Sequence, residues 1–488
     1  MQTLLIKVIS SAKNNLDIWF FYGFLFTSML SLRKILFSFP LENHFNEYTS
    51  IYLYVSDIFL IITIALWIIL HNNINYLSSS FNYIFIRKNF AYIIPFLFIL
   101  WSFISIFWAD NQLLASFRSI KLFEFYFLFL YVSKRIVPRG TLLRDSLLIM
   151  ILIGLINAII GVFQFVLQNS LGLRILRESI ISTDISGVAK VIIDGEVYIR
   201  SYGLFPHPNI FGGFLVLTII ISWNLIRKRQ YLPFHEKVNI RYWLILAIIL
   251  QFSALILTFS KSAFFGLIIG VVFLHTIVLP NKSNCSTWNN FLAGIAGLLK
   301  NNIHKSVITL LFIIGLSSMF FSRVDNRAFF IQSLHERSVY IEISQNIVQK
   351  SPILGIGSGN FVWDMQNFIE EPLLYWQFQP VHNVFLLILS ELGVVGLLLF
   401  LWFFSKLFQN KRKVISHETI SHESNAEYKP TSFHSEFDCF GSILIAFLFI
   451  MFFDHYFWDI QQGQILFWMT LGIICASQNK KLLDSKSD

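Results

Sequence analysis

Residues 145–167 read DSLLIMILIGLINAIIGVFQFVL, and Asp145 at the edge is the only charge in the run. A bilayer core about 30 Å thick needs roughly 20 apolar residues in helical form, so this stretch is long enough to cross one. Basic residues gather just before it, at Lys134, Arg135, Arg139 and Arg144. Cations of this kind in short loops mark the cytoplasmic side. Comparable runs recur from one end of the chain to the other. The whole sequence is 55% hydrophobic and 13% charged, against roughly 25% charged in an average soluble domain. The weak alternation and aromatic girdles of a β-barrel are absent. The expected class is therefore an all-α, polytopic membrane protein.

Hydropathy places about twelve spans. They lie near 16–36, 50–70, 90–108, 114–133, 145–167, 208–226, 241–259, 262–279, 306–321, 382–404, 438–457 and 462–478. Further basic clusters fall at alternate ends of these runs. Lys7 and Lys13 precede the first, and Arg87-Lys88 the third. Arg227 to Arg229, Lys237 and Arg241 join the sixth to the seventh, and Lys282, Lys300 and Lys305 the eighth to the ninth. Lys406 and Lys411 to Lys413 follow the tenth, and Lys480-Lys481 the last. Alternation puts all of these, and both termini, in the cytoplasm. Arg33-Lys34 break the pattern at the outer end of the first span, where snorkelling would accommodate them.

The expected domains follow. Residues 1–167 hold spans one to five, 168–207 an outer loop, and 208–321 spans six to nine. Residues 322–381 form an outer helical segment, and 382–478 hold the last three spans with a cytoplasmic linker at 407–437. Within the outer segment, Glu336–Gln349 carries Val339, Ile343 and Ile347 on one helical face, ended by Ser351-Pro352 and Gly355. An amphipathic helix on the outer leaflet fits, with Arg337 near its start. No repeat of 20–50 residues is evident. The net charge of +9 is topological and carries no nucleic-acid signal. Cys285, Cys439 and Cys475 have neither disulfide nor zinc spacing, so no metal site is expected. The first apolar run lacks a cleavage site and is expected to remain as a span.

Polar clusters gather on the outer side. One is Arg200-Ser201-Tyr202-Gly203-Leu204-Phe205-Pro206-His207-Pro208-Asn209. Another is Ser260-Lys261-Ser262-Ala263, in the turn between spans seven and eight. A third joins Glu336-Arg337 to Pro352–Gly357. A fourth is His382-Asn383 with Glu391-Leu392-Gly393, and a weaker fifth holds Asp454-His455 and Asp459 to Gln462. Arg200, Lys261 and Arg337 suit a diphosphate, because guanidinium forks match phosphate oxygens and charge-assisted bonds are about twice as strong as neutral ones. A helix N-terminus beside cations keeps His382 neutral and able to take a proton. Such help is worth roughly 10²–10⁴ in rate.

Each residue has a plainer reading on chemistry alone. Arg200 and Arg337 also fit snorkelling cations, and Lys261 an ordinary turn cation. His382 fits a hydrogen-bonded helix-entry residue equally well. His207 fits a turn, Glu391 a paired buried carboxylate, and Asp454-His455 a hairpin tip. Gly355-x-Gly357-x-Gly359 follows a helix and reads as a turn, not a dinucleotide loop.

Taken in order, several pieces between Arg200 and Gly472 resemble the O-antigen ligase and polymerase superfamily of membrane glycosyltransferases. They are Arg-x-x-Gly-x-x-x-x-Pro-Asn at 200–209, Phe259-Ser260-Lys261-Ser262-Ala263, Arg337 with Pro352–Gly359, His382-Asn383 through Glu391-x-Gly393, and Phe457-Trp458 to Gly463–Trp468. The resemblance implies a multi-pass protein of the cell inner membrane, with helices of the outer segment folded over a cavity. It implies a polyprenyl-diphosphate-linked glycan as donor, of the undecaprenyl type, and an acceptor hydroxyl at the outer face. Neither metal nor cofactor is implied. Inversion is expected for a single displacement.

By the same resemblance His382 is the base, and Arg337 and Arg200 complete the catalytic set by holding the diphosphate. Lys261, Asn383, Asn209, Glu391 and Asp454 are the expected substrate-binding residues. Two positions depart from the family pattern. Lys261 stands where Arg is usual, which puts bidentate binding there in doubt, and Tyr340 where Trp is common. The acceptor is a lipopolysaccharide core in a ligase, another glycan in a polymerase, or a protein in an O-oligosaccharyltransferase. A reading of another class is a transporter of lipid-linked sugars or small anions, which would show broken helices with charges near mid-membrane.

Overall fold

The computed structural model describes residues 15–71, 90–227, 237–278, 327–421 and 432–484. The ninth expected span lies outside them, as do Lys7, Lys13, Arg87, Lys88, Lys228, Arg229, Lys282, Cys285, Lys300, Lys305 and Arg323. So do the side chains of Lys237, Lys411, Arg412, Lys413, Lys480 and Lys481.

In chain order the described elements begin with α1 (Leu16–Ser28), β1 (Arg33–Ser38), β2 (Ser50–Tyr54), α2 (Val55–Leu70), α3 (Phe90–Ile104), α4 (Gln112–Tyr131) and α5 (Gly140–Leu167). Next come β3 (Lys190–Ile193), β4 (Glu196–Ile199), α6 (Pro208–Arg227), α7 (Lys237–Leu257) and α8 (Lys261–Val278). The chain then forms α9 (Arg327–Lys350), α10 (Phe361–Asp364), α11 (Val384–Ser421), α12 (Ser432–Met451), α13 (Tyr456–Asp459) and α14 (Gln461–Asp484). Among the described residues five helical stretches are long and apolar enough to cross a membrane: Phe90–Trp108, Gly140–Leu167, Pro208–Arg227, Ile240–Leu257 and Val384–Phe408. Four shorter apolar helices accompany them: Leu16–Ser28, Val55–Leu70, Lys261–Leu274 and Asp438–Met451. The fold is that of a mostly helical multi-pass membrane protein.

Several sequence expectations change, among them that the second span, expected from residue 50, is helical only from Val55, and that the span expected over 438–457 ends at Met451. The first span was expected to run to residue 36, but α1 ends at Ser28 and Arg33–Ser38 is a strand. A short apolar run has no period that separates helix from strand, and pairing with Ser50–Tyr54 decides it. Arg33 there meets Glu47 at 3.4 Å and lies over the Tyr52 ring, so it is partnered on the hairpin. Helix α11 continues to Ser421, through half of the stretch expected to be a linker. Helix α9 starts at Arg327, so Arg337 sits in its third turn instead of near its start.

The chain divides into two compact units. The first comprises residues 1–149, 334–429 and 451–488. At one end of it, Asp17 of α1 is fully buried and takes Nε and Nη2 of Arg135 at 2.7 and 3.0 Å, with the Tyr131 hydroxyl at 3.1 Å. Elsewhere in this unit Lys121 of α4 donates to Asp57 of α2 at 2.7 Å and to Glu124 at 2.5 Å. Buried charges persist where a partner and further hydrogen bonds offset their desolvation.

At the end of this unit that carries His382, four connections are tied together. Asn46 donates to the Phe378 carbonyl at 2.9 Å, and the Asn111 amide to Asn360 Oδ1 at 2.8 Å. Ser358 N–H donates to Ser105 Oγ at 3.1 Å. Arg118 of α4 spans two of the connections, donating to the carbonyls of Asp459 (2.7 Å) and Tyr48 (3.2 Å).

Helix α11 is broken at Gly393, whose φ of 66° and ψ of −171° are not helical. The loop after α9 fills the break. Ile356 N–H donates to Ser390 O (3.0 Å), Gly357 N–H to Glu391 O (2.8 Å), and Val394 N–H to Pro352 O (2.9 Å). A Cβ on Gly355 would lie 2.4 Å from Glu391 O, and one on Gly393 only 2.0 Å from Ile353 O. Both have positive φ, so glycine is required twice over. Breaking a helix inside a membrane protein is tolerated where neighbouring groups satisfy the freed backbone, as here.

The second unit comprises residues 150–333 and 430–450. Helix α6 is its centre, buried along most of its length, whereas α7 is largely exposed. Gly212 of α6 faces Ala263 and Ser260 of the α7–α8 turn, and Gly270 of α8 faces Ile220, Ser442 and Ala446. Small residues let helices approach closely where lipid offers no hydrophobic drive for association.

Candidate functional site

In the first unit the site is built around His382. Asn383 caps α11, its Oδ1 accepting from Leu386 N–H at 3.0 Å while its Nδ2 reaches the Phe452 carbonyl at 3.3 Å. The cap fixes where the helix starts and hence where His382 stands. The imidazole of His382 is half-buried with Nδ1 inside. The Tyr340 ring of α9 lies parallel to it at 5.8 Å and 12°. On another side His455 stands perpendicular at 5.0 Å and 89°.

His455 is itself clamped. Its Nδ1 lies 2.9 and 2.8 Å from the two carboxylate oxygens of Asp459, one α-helical turn on. The Tyr48 ring meets it edge-on at 5.5 Å, and its backbone N–H donates to Asp454 at 2.9 Å. Burial opposes protonation of His455, but the charge and hydrogen bond of Asp459, with Asp454 and Glu47 beyond, outweigh it and raise its pKa. Tyr340 moves upward too, through burial and the charge of Glu336.

Arg337 lies one turn before Tyr340, on the same face of α9. That face buries Tyr340, Ile343, Ser344 and Ile347, while Val339 is half-buried. Glu391 is buried and accepts from Trp458 Nε1 at 2.9 Å and from the Gly359 backbone. It lines a cavity of about 20 Å³ with Arg118, Ser358, Asp459 and Gln464. That volume holds about one water molecule, and the bond to Trp458 ties α11 to α13. Asp454 is likewise buried, accepting from its neighbour's amide.

A second acid feature belongs to the same unit. Asp364 of α10 is pushed up to about 7 by burial and by the neighbouring Asp110, to which it is hydrogen-bonded.

In the second unit the stretch 200–209 folds onto the turn between α7 and α8. Arg200 Nε donates to the Thr258 carbonyl at 2.6 Å and Nη2 to Asn209 Oδ1 at 2.6 Å. Ser201 N–H reaches the Leu257 carbonyl at 2.9 Å. Asn209 thus orients the Arg200 guanidinium. Lys261 is exposed at the first position of α8, and Ser260 caps that helix through Ala263 N–H at 3.4 Å. A lysine at a helix N-terminus adds charge to backbone N–H groups already aimed outward, an arrangement suited to anions.

Two polar residues hold this stretch in place, and both lie inside the apolar run of α5. Gln164 accepts from Tyr202 N–H (3.2 Å) and Gly203 N–H (2.9 Å) and donates to Gly203 O (2.9 Å). Asn157 accepts from Leu204 N–H at 2.9 Å. The sequence reading did not single them out, nor Arg118; it grouped His455 with Asp459 only as a weaker outer cluster, without their pairing. The signal for the first two was present: an amide costs free energy in hydrocarbon unless it is bonded.

The expected site residues therefore fall into two groups. His382, Arg337, Asn383, Glu391 and Asp454 belong to the first unit, and Arg200, Asn209 and Lys261 to the second. Among the described residues no cluster of three or more His, Cys, Asp or Glu side chains could hold a metal ion.

Residues 246–401 match a family model described as O-antigen ligase. The matched stretch contains Lys261, Arg337, His382, Asn383 and Glu391, and the resemblance to the O-antigen ligase and polymerase superfamily is shown over it. No curated protein matches the chain.

Proposed function

We propose that the protein transfers a glycan from a polyprenyl-diphosphate carrier to an acceptor hydroxyl at the outer face of the cytoplasmic membrane. The observation that carries this is the O-antigen ligase match, which takes in His382 and Arg337 together. His382 takes the proton as the acceptor oxygen attacks the anomeric carbon, and the bond to the diphosphate breaks with inversion. Arg337 is the proposed diphosphate ligand within the first unit, and within the second Arg200, with Lys261 in support, is proposed as a diphosphate-binding pair. Asn383, Asn209, Glu391 and Asp454 are proposed to contact substrate, and their bonds within the protein also hold the frame of the site. The reaction as written needs no metal.

The break at Gly393 favours a transporter, whose sites use unwound helices. Its freed carbonyls on Ser390 and Glu391 accept from Ile356 and Gly357. They are therefore already engaged, which supports the enzyme reading.

The test uses full-length protein in vesicles with lipid-linked glycan extracted from membranes. The expected result is a new glycosidic bond with the native protein and none with His382→Ala, at equal yield of folded protein. Near-normal transfer by that variant would remove the base assignment, and movement of donor without a new bond would favour the transporter. Deleting the gene separates polymerase from ligase. Shortened surface chains indicate the first, and full-length chains left on the lipid carrier the second.

A further inference from the structure

We infer that His455, clamped by Asp459, is a positioning residue for His382: it fixes the plane of that ring and places a positive charge beside it. The catalytic part of this inference rests on the proposed reading of His382 as base.

Three observations carry it. The first is geometric. His382 lies parallel to Tyr340 at 5.8 Å and perpendicular to His455 at 5.0 Å, so two rings at right angles bound it. A general base must present its lone pair within hydrogen-bond reach of the proton it takes, and a ring free to rotate does so only part of the time. The second is the clamp. Both oxygens of Asp459 approach Nδ1 of His455 within 2.9 Å, and both side chains are 7% exposed. Asp459 is itself tied down through its carbonyl, which accepts from Arg118. The third is the charge setting. The charged and titratable groups around the cluster are Glu336 and Arg337 on α9, Arg118 of α4, Glu47 and Tyr48 in the hairpin, and Asp454 and Asp459 around α13, so four carboxylates face two guanidinium groups. The acids among them would favour protonated His382. A cationic His455, the nearest ring, opposes them and keeps His382 ready to accept a proton.

The test reads His382 directly. Diethyl pyrocarbonate modifies neutral imidazole, so its rate at His382, followed by mass spectrometry across pH on the full-length protein in detergent, reports that ring's titration midpoint. With His455→Gln the charge is lost and Asp459 is left uncompensated. The His382 midpoint should then rise by roughly two pH units, the size expected for one charge at the 5.0 Å ring separation and an effective dielectric of about 20. His455→Phe keeps a ring and should shift it equally, and serves if the Gln variant folds poorly. Adding Asp459→Asn to either variant should return the midpoint toward the native value.

The acid limb of glycan transfer should follow the same order. An unchanged midpoint in both single variants would overturn the inference, as would a rise that Asp459→Asn fails to reverse. If His382→Ala retains transfer while these shifts are seen, the assignment of the base fails and the electrostatic pairing stands.

Discussion

Replacing Gln164 by leucine should loosen the Arg200 stretch without unfolding the protein. Gln164 is fully buried, and its amide serves three backbone groups of the turn at Tyr202 and Gly203, with a fourth bond to Glu178 at 2.8 Å. Leucine fills similar space and serves none of them. Each buried backbone group left without a partner costs about 1–3 kcal/mol. Three would cost up to about 9 kcal/mol. The Tyr202 bond is long at 3.2 Å, however, and the turn can shift, so roughly 3 kcal/mol is the expected net loss. That makes local opening of the turn about 10²-fold more frequent. Hydrogen exchange of a 196–209 peptide from the full-length protein measures it. The amides of 201–204 should exchange faster by about that factor, while the first unit keeps its protection. Gln164→Glu should fall between, since a carboxylate still accepts from both N–H groups but cannot donate to Gly203 and faces Glu178. Unchanged exchange at 201–204 in the leucine variant would refute the claim that this amide holds the stretch.

Further outcomes follow from the same geometry. Gly393→Ala should lower the melting temperature by several degrees, since it combines a positive φ with a Cβ 2.0 Å from Ile353 O; melting in detergent checks this, and a native-like value would mean that the break at Gly393 can be repacked. Trp458→Phe removes the indole donor to Glu391 at 2.9 Å and should destabilise the protein by about 1–3 kcal/mol, read by denaturant midpoint. Asp364→Asn should stabilise the protein at neutral pH. The folded state raises this acid from 3.8 to about 7, so its neutral form's contribution is whole below pH 3.8 and is lost as pH rises toward 7. In the variant, thermal stability should change less across that window; an identical pH profile would remove Asp364 as the cause.

How far the sequence reached can be judged element by element. The helix at Pro208–Arg227 starts at the residue that hydropathy named, and Phe90–Trp108 matches at both ends. Apolar length against bilayer thickness is a local property, and it needs no partner to be read. The motif at 200–209 and the turn at 259–263 were recognised as separate pieces. That Arg200 bonds to Thr258 could not be read from either. His455 and Asp459 look like an ordinary hairpin tip until the chain is folded, because nothing in their spacing reveals that His382, far back in the sequence, lies beside them.

The sequence by itself pointed to a mostly helical membrane protein and located the five described helices that are long and apolar enough to cross a bilayer. It also determined the kind of chemistry its polar clusters suit, because solvation, charge and backbone glycine are properties of single residues and short runs. Tertiary structure alone decided that Arg33–Ser38 pairs as a strand, that α11 breaks against the glycine loop, and that Asn157 and Gln164 hold Arg200 in place. It also decided that His382 faces a clamped histidine. These arise from hydrogen bonds and ring contacts between residues distant in the chain, and such contacts exist only once burial has made an unpaired polar group too costly to leave alone.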